Sequence, residues 1–431
     1  MGLLRWQRPV WYWLGFGWLL TVVRLAWTYR SVMEACGLSE PPSRSRVILA
    51  AALDRVPARV VPKLRRIRIT RSGLVLRIRI LPGQEVLDFD AATERLRHSW
   101  RMHGVHVKAL KPGFLEVRLI SYDVLRIVHM PRKLPAGLLQ VPVALRADGA
   151  VHVRNFRTSP HELVVGATES GKSVYLRGLV KGLAPQRVAL VGIDCKWGVE
   201  LAPFARRLSA LAYTPEQAAD LLDALVEEMT GRFELIRASQ HLAPDLPLES
   251  ITSDVWGLPE EIRPVPIVVF VDEVAELFLI AHRADEKRRD QMVTQLVRLA
   301  QLGRAAAMYL EVSGQRFGSE LGPGATALRA QLTGRVAHRV NDEASAKMAL
   351  GDISLRAVGA ATSIAAERPG TAVIGLTSGG WARIRSPYVT LADAVTACAA
   401  YEHLTPDVPA LADFRPHHPA PAAEPKAPQT V

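Results

Sequence analysis

The stretch Leu163-Val164-Val165-Gly166-Ala167-Thr168-Glu169-Ser170-Gly171-Lys172-Ser173 decides the fold. It runs from a short apolar strand through G-x-x-x-x-G-K-S into a helix beginning near Val174. Each position has a physical reason. Gly166 and Gly171 let the backbone bend so that N–H groups converge on phosphate oxygens. The helix that follows adds the positive end of its dipole. Lys172 reaches the β- and γ-phosphates, and the Ser173 hydroxyl is placed to ligate Mg²⁺. Ala167, Thr168, Glu169 and Ser170 complete the loop around the phosphates of ATP. Glu169 is the awkward member, because a carboxylate near phosphate repels; it is expected to face away.

A phosphate cradle alone binds a nucleotide. Hydrolysis needs an acid on a neighbouring strand, and Pro266-Ile267-Val268-Val269-Phe270-Val271 ends in Asp272-Glu273. Asp272 at a strand end suits Mg²⁺ held through its water shell. Glu273 suits a general base for the attacking water. Gln315, just past the apolar run Met308 to Ser313, is a candidate to orient water or sense the γ-phosphate. Arg304, Arg335 and Arg339 follow at intervals that suit a subunit interface, where a neighbour's arginine can stabilise transition-state charge. For each alone, a surface salt bridge stands as the alternative.

Around these motifs apolar runs alternate with helical ones: Val188 to Ile193 ends at Asp194, Pro215 to Ser239 is helical, and Asp285 to Ala306 is helical. This alternation predicts an α/β fold with a parallel sheet covered by helices. His241 to Pro264, with four prolines, reads as a loop.

Upstream the character changes. The 431-residue chain carries a net charge of +12, yet residues 1–150 hold 25 Lys+Arg against 10 Asp+Glu, and the remainder is slightly acidic. The basic third points to a polyanion or an anionic membrane surface, or to an Arg-rich proteome. Arg66 to Thr70 and Leu74 to Ile80 alternate with period two around Ser72-Gly73. A helix over Asp90 to His103 and strands over Val105 to Leu110 and Phe114 to Ile120 complete a small ββαββ domain. Its strand arginines read either as a solvated face or as a surface for nucleic acid.

Five of the nine tryptophans lie in residues 1–30, and Pro9 to Val23 carries no charge. Such a run is short of the roughly 20 residues a spanning helix needs. A single-pass anchor, a helix lying in the interface and a soluble packing helix are the three readings. The three cysteines are far apart and share no metal spacing, which suits a reducing compartment. The expected division is 1–30 anchor or interfacial helix, 31–62 linker, 63–130 small basic domain, 131–395 motor and 396–431 a largely disordered tail.

Taken together, the motifs resemble the FtsK/SpoIIIE family of DNA-pumping ATPases. Gly166 to Val174 is similar to G-T-T-G-S-G-K-S-V, and Ile193-Asp194-Cys195-Lys196 to I-D-P-K, with Cys195 in place of proline. Phe270 to Leu277 resembles V-V-D-E-F-A-D-L, and Arg298 to Ala306 resembles R-L-A-Q-K-G-R-A-A. Gln315-Arg316 matches Q-R, and Gly334 to Val340 resembles R-I-A-F-R-V. The resemblance implies a RecA-like motor that forms a homo-oligomer, a hexameric ring, with double-stranded DNA in its pore and ATP hydrolysed between subunits. It implies phosphate and Mg²⁺ binding at Lys172 and Ser173, Mg²⁺ at Asp272, water activation at Glu273 and γ-phosphate sensing at Gln315. A short anchor, a small basic domain and one motor look like the plasmid-transfer members of mycelial actinobacteria, so a DNA translocase for conjugation at the cytoplasmic face of the membrane is expected. The runner-up is the ATPase of a type VII-like protein secretion system.

Overall fold

The computed structural model describes residues 9–42, 52–53, 57–132, 134–135, 137–240, 251–280, 282–318, 321–377 and 380–416. The chain divides into two compact units, one reaching to Val128 and including Arg146–Ala150, the other holding the rest.

The first unit is a four-stranded antiparallel sheet in the order β1 (Lys63–Ile69), β2 (Gly73–Arg79), β4 (Phe114–Ile120), β3 (Gly104–Lys111). Period-two alternation gives it two unlike faces. Leu74, Leu76, Ile78, Leu115, Val117 and Leu119 point inward and are fully buried. They pack with Phe89, Leu96 and Trp100 from the helical segments Val86–Ala91 and Thr93–Ser99. The single helix expected over Asp90 to His103 is thus two short ones that begin earlier.

The N-terminal helix joins this same core. It runs Pro9–Tyr12, a π-helical turn Trp13–Gly17, and Trp18–Ala35, so it extends beyond the expected boundary at residue 30. Trp13, Leu25, Val32 and Met33 lie in the core cluster. The Trp13 indole N–H donates to the Thr70 carbonyl at 2.8 Å, and the Tyr29 ring stacks on Trp100 at 6.3 Å. Arg24, just past the uncharged run, donates to the Trp100 carbonyl at 3.2 Å. Among the described residues no helix is long and apolar enough to cross a membrane. The segment expected to be a linker is partly tied down, since Glu40 and Val60 form an antiparallel bridge.

The second unit is built on a ten-stranded sheet ordered β6-β5-β14-β13-β12-β7-β11-β10-β8-β9. Strands β12 (Gly334–His338), β7 (His161–Val165), β11 (Met308–Gly314), β10 (Ile267–Val271), β8 (Ala189–Ile193) and β9 (Leu208–Ala212) are mutually parallel. They are buried along their whole length, as a sheet covered on both faces requires. The antiparallel strands β13 (Thr371–Gly375) and β14 (Trp381–Arg385) extend one side, and β5 (Gln140–Arg146) and β6 (Val151–Asn155) form a hairpin at its edge. The sheet is therefore mixed where a parallel one was expected.

The long helix Pro215–Ser239 matches its expected bounds, with Thr214 capping it by accepting from the Gln217 N–H. The expected disordered tail is corrected as far as residue 416. Helix Leu391–Ala400 and the 3-10 turn Pro409–Phe414 are ordered, Val408 and Leu411 enter the motor core, and Ser209 donates to the Pro406 carbonyl. Residues 417–431 and residues 241–250 of the expected loop lie outside the described ones.

Candidate functional site

In six parallel strands all C-terminal ends share one edge. The loop after β7 is the cradle, Gln315 follows β11, Asp272-Glu273 follow β10, and Asp194 to Lys196 follow β8. Because β7, β11, β10 and β8 are consecutive neighbours, these four segments meet side by side.

The cradle is fixed by its backbone. Gly171 has φ +102°, a conformation open to glycine, and a Cβ there would lie 2.3 Å from the Gly370 nitrogen. At Gly166 a Cβ would meet the Ser170 hydroxyl at 2.5 Å and His338 at 2.8 Å. The Ala167 N–H donates to the Arg339 carbonyl at 2.8 Å, and the Arg339 guanidinium donates to the Thr168 carbonyl at 3.0 Å. The Gly370 N–H donates to the Ser170 carbonyl at 2.9 Å. Lys172 and Ser173 then open the helix Lys172–Leu183. Glu169 is solvent-exposed with φ +61°.

Beneath the cradle lies a buried charged group. The Arg154 guanidinium on β6 stands 3.0 Å from Glu311 on β11 and 3.3 Å from Glu162 on β7. The hydroxyl of Tyr175, in the first turn of the cradle helix, donates to Glu162 at 2.8 Å. Burial pushes the Glu311 carboxyl well above its usual range, with Glu162 adding repulsion and Arg154 opposing it. The cluster ties the helix to three strands.

The acid pair faces the cradle. Glu273 Oε2 is 3.3 Å from Lys172 Nζ and 3.3 Å from Lys196 Nζ, while Glu273 Oε1 accepts the Gln315 backbone N–H at 3.1 Å. One carboxylate thus touches the cradle, the Gln315 loop and the β8 loop. Asp272 is buried, and its carboxyl is pushed up to about 6, chiefly by desolvation; Lys172 and Lys196 oppose this and Asp194 adds to it. A buried carboxylate so poorly compensated fits a cation, and Ser173 with Asp272 is a donor set suited to Mg²⁺, which takes few protein ligands and keeps waters and phosphate oxygens.

Lys196, the last residue of the Ile193-Asp194-Cys195-Lys196 stretch, joins the site although the motif alone assigns it no role. Its position is set by Asp194, fully buried, whose carboxylate accepts from the N–H groups of Lys196, Glu200 and Leu201 at 3.1, 2.9 and 3.1 Å. An acid followed two residues later by a lysine after an apolar strand was the available signal.

The arginines separate. Arg335 is 7% exposed in the middle of the sheet and donates to the Arg329 carbonyl at 2.8 Å; burial lowers its pKa to about 10. It is held within its own chain and is not brought to the cradle. Arg304 is exposed and precedes β11, so the seven residues of that strand, about 20 Å, separate it from the Gln315 end. Arg339, not Arg304 or Arg335, is the arginine at the cradle.

A family model described as the actinomycete conjugal transfer protein N-terminal domain matches residues 1–121, and the FtsK/SpoIIIE family model matches residues 125–319. The transfer protein TraSA of Streptomyces ambofaciens is 58% identical over 91% of this chain and 95% of its own length. The chain belongs to the FtsK/SpoIIIE family. It is a P-loop ATPase of the family's actinomycete conjugal-transfer members. A sporulation regulatory protein of Streptomyces azureus is 56% identical over 62% of this chain and 86% of its own length. Among solved structures, the monomer form of the pCW3 conjugation coupling protein TcpA with ATPgS shares the fold, with a TM-score of 0.51 at 18% identity over 85% of this chain and 95% of that one.

Proposed function

We propose that this chain is an ATP-driven translocase of double-stranded DNA acting in conjugal transfer, working as a hexamer at the cytoplasmic face of the membrane. The observation that carries the reading is the Glu273 carboxylate, shared between Lys172 of the cradle and the Gln315 N–H. That arrangement couples phosphate binding to the residue that activates water. The 58% identity to a transfer protein supplies the context.

In this reading Lys172 turns from Glu273 to the phosphates when ATP enters, and the cradle N–H groups from Gly166 to Ser173 hold the phosphate oxygens. Glu273, freed of that ammonium, accepts the proton of the attacking water. Gln315 leaves its backbone anchored to Glu273 and turns its amide to the γ-phosphate. Ser173 and Asp272 hold Mg²⁺, which when bound neutralises charge developing on the phosphates. Arg304 stays a candidate to act on a neighbouring subunit. The exposed side of the N-terminal helix supplies the membrane contact.

The test is ATP turnover with and without duplex DNA. Stimulation by duplex is expected; stimulation by an exported protein with none by DNA favours the secretion reading and rejects this one. Lys172→Ala is expected to abolish ATP binding measured by calorimetry. Glu273→Gln is expected to retain binding and lose turnover by roughly 10²- to 10⁴-fold; turnover at the parent rate removes Glu273 from its role.

A further inference from the structure

The outward face of the small unit's sheet is a field of cations, and its registry can be read strand by strand. In one row Lys63 on β1 pairs with Arg79 on β2, Arg79 with Phe114 on β4, and Phe114 with Lys111 on β3. In the next row the order is Arg66, Arg77, Glu116, Lys108. In the third it is Arg68, Val75, Arg118, His106. The third row is partly closed, since Arg118 pairs with Glu116 at 2.8 Å and with Asp148 at 3.6 Å. The first two rows are open, and their lysines and arginines are exposed.

Two facts set this apart from an ordinary solvated face. Arg66 stands directly opposite Arg77, and Lys63 opposite Arg79. Like charges in direct cross-strand register destabilise a sheet. Among the described residues no salt bridge joins an acid to any of these four; Glu116 stands opposite Arg77, but its carboxylate is taken by Arg118 at 2.8 Å. A polyanion laid across the strands removes that repulsion. Four strands and three rows cover about 14 Å by 14 Å, and over 14 Å of axis a duplex carries about eight phosphate charges. Phe114, with the Lys111 ammonium 4.9 Å above its ring, supplies an apolar spot within the field.

An anionic membrane is the competing polyanion, and the layering of the unit argues against it. The inward face of the sheet is covered by the helices, including Trp18–Ala35. The apolar residues exposed on this helix and the turn before it, Phe16, Leu19, Leu20, Val23 and Trp27 among them, are on the side turned away from the core. A membrane that takes those residues meets the helical layer, and the cations face the other way.

We propose that the outward face of the β1-β2-β4-β3 sheet is a sequence-independent docking surface for the phosphate backbone of duplex DNA. The inference extends the translocase reading, on which the choice of duplex rests, by giving the DNA a contact that needs no ATP.

The experiment uses the full-length chain without nucleotide and a short fluorescent duplex of mixed sequence, titrated between about 50 and 200 mM salt. The quadruple variant Lys63→Gln, Arg66→Gln, Arg77→Gln, Arg79→Gln is compared with the parent and with a control, Arg206→Gln, Lys347→Gln, Arg356→Gln, Arg415→Gln, on the exposed surface of the motor unit. Four lost phosphate contacts are expected to reduce the slope of log K against log salt by about 3 to 4, and to weaken binding at least tenfold at the low-salt end. The control keeps its affinity to within about twofold. Lys108→Gln with Lys111→Gln, on the far strand, is expected to lose about half as much slope, which guards against misfolding of the quadruple variant. Unchanged affinity and slope in both face variants overturns the proposal. An equal loss in the control overturns it as well, by showing only bulk charge. Retained DNA binding with lost binding to phosphatidylglycerol vesicles assigns the face to lipid and overturns it too. If duplex binds this face but does not stimulate turnover, the translocase reading fails and the docking surface stands.

Discussion

At the scale of single residues, Glu273 is the junction of the site, and Lys196 is the partner whose contribution can be isolated. In the proposed mechanism Lys172 leaves Glu273 to serve phosphate, whereas Lys196, 3.3 Å from the same oxygen, is given no such duty. Its backbone is pinned by the buried Asp194, so the ammonium is delivered from a fixed loop. Lys196→Met is therefore expected to lower kcat by about tenfold while leaving KM for ATP near the parent value, the signature of a mispositioned base rather than a lost binding contact. Lys196→Arg is expected to recover part of the rate. A rise in KM with kcat unchanged would place Lys196 on the nucleotide instead. Gly171 shows how far sequence alone reaches at this scale: its glycine was legible as a bend, but only the fold reveals that the backbone of Gly370 fills the space a side chain would need.

At the scale of elements, β8 and β10 were legible because each is a short, unbroken apolar run closed by an acid, at Ile193-Asp194 and Val271-Asp272, whereas β9 and β12, interrupted by Ser209 and Arg335, were not read as strands. What escaped were elements whose stability comes from partners distant in sequence. Trp381–Arg385 carries Arg383 and Arg385 and is a strand because β13 pairs with it. The Pro409–Phe414 turn is ordered because Leu411 finds the motor core. Two buried groups behind the cradle give predictions here. Arg154 holds both Glu162 and Glu311, so Arg154→Met leaves two carboxylates without their cation and is expected to cost about 3–5 kcal/mol in denaturant unfolding. His338, wholly buried on β12 against the cradle, has its pKa lowered to about 4 by desolvation. Above pH 6.5 the imidazole is neutral both folded and unfolded, and its ionisation contributes nothing. As pH falls from 6.5 towards 4, only the unfolded chain takes up the proton, so stability is lost across that window, by about 3 kcal/mol in full. His338→Leu is expected to flatten this part of the profile of melting temperature against pH. A parallel profile in the variant would show that other groups govern it.

At the scale of the whole molecule, the N-terminal helix is the feature whose sequence and structure read most differently. Its tryptophans and uncharged run look like an anchor because hydropathy counts apolar residues without asking which face they occupy. The structure sorts them. Trp13 and Leu25 are buried in the small unit, while Trp27 is 86% exposed and Phe16 60%. A helix that spanned the bilayer on its own would have to give up the Trp13–Thr70 hydrogen bond and the Tyr29–Trp100 stack. One that lies in the interface keeps them and offers its outer side to lipid. The two sides therefore separate by mutation. Trp13→Ala is expected to destabilise the small unit by roughly 3–5 kcal/mol whether or not membranes are present. Phe16→Ser with Trp27→Ser is expected to leave the melting temperature and ATP turnover unchanged while moving the protein from the vesicle-bound to the free fraction in flotation. If the double variant still floats and resists carbonate extraction like an integral protein, the helix leaves the small unit and inserts, and the packing described for Trp13 belongs only to the membrane-free state.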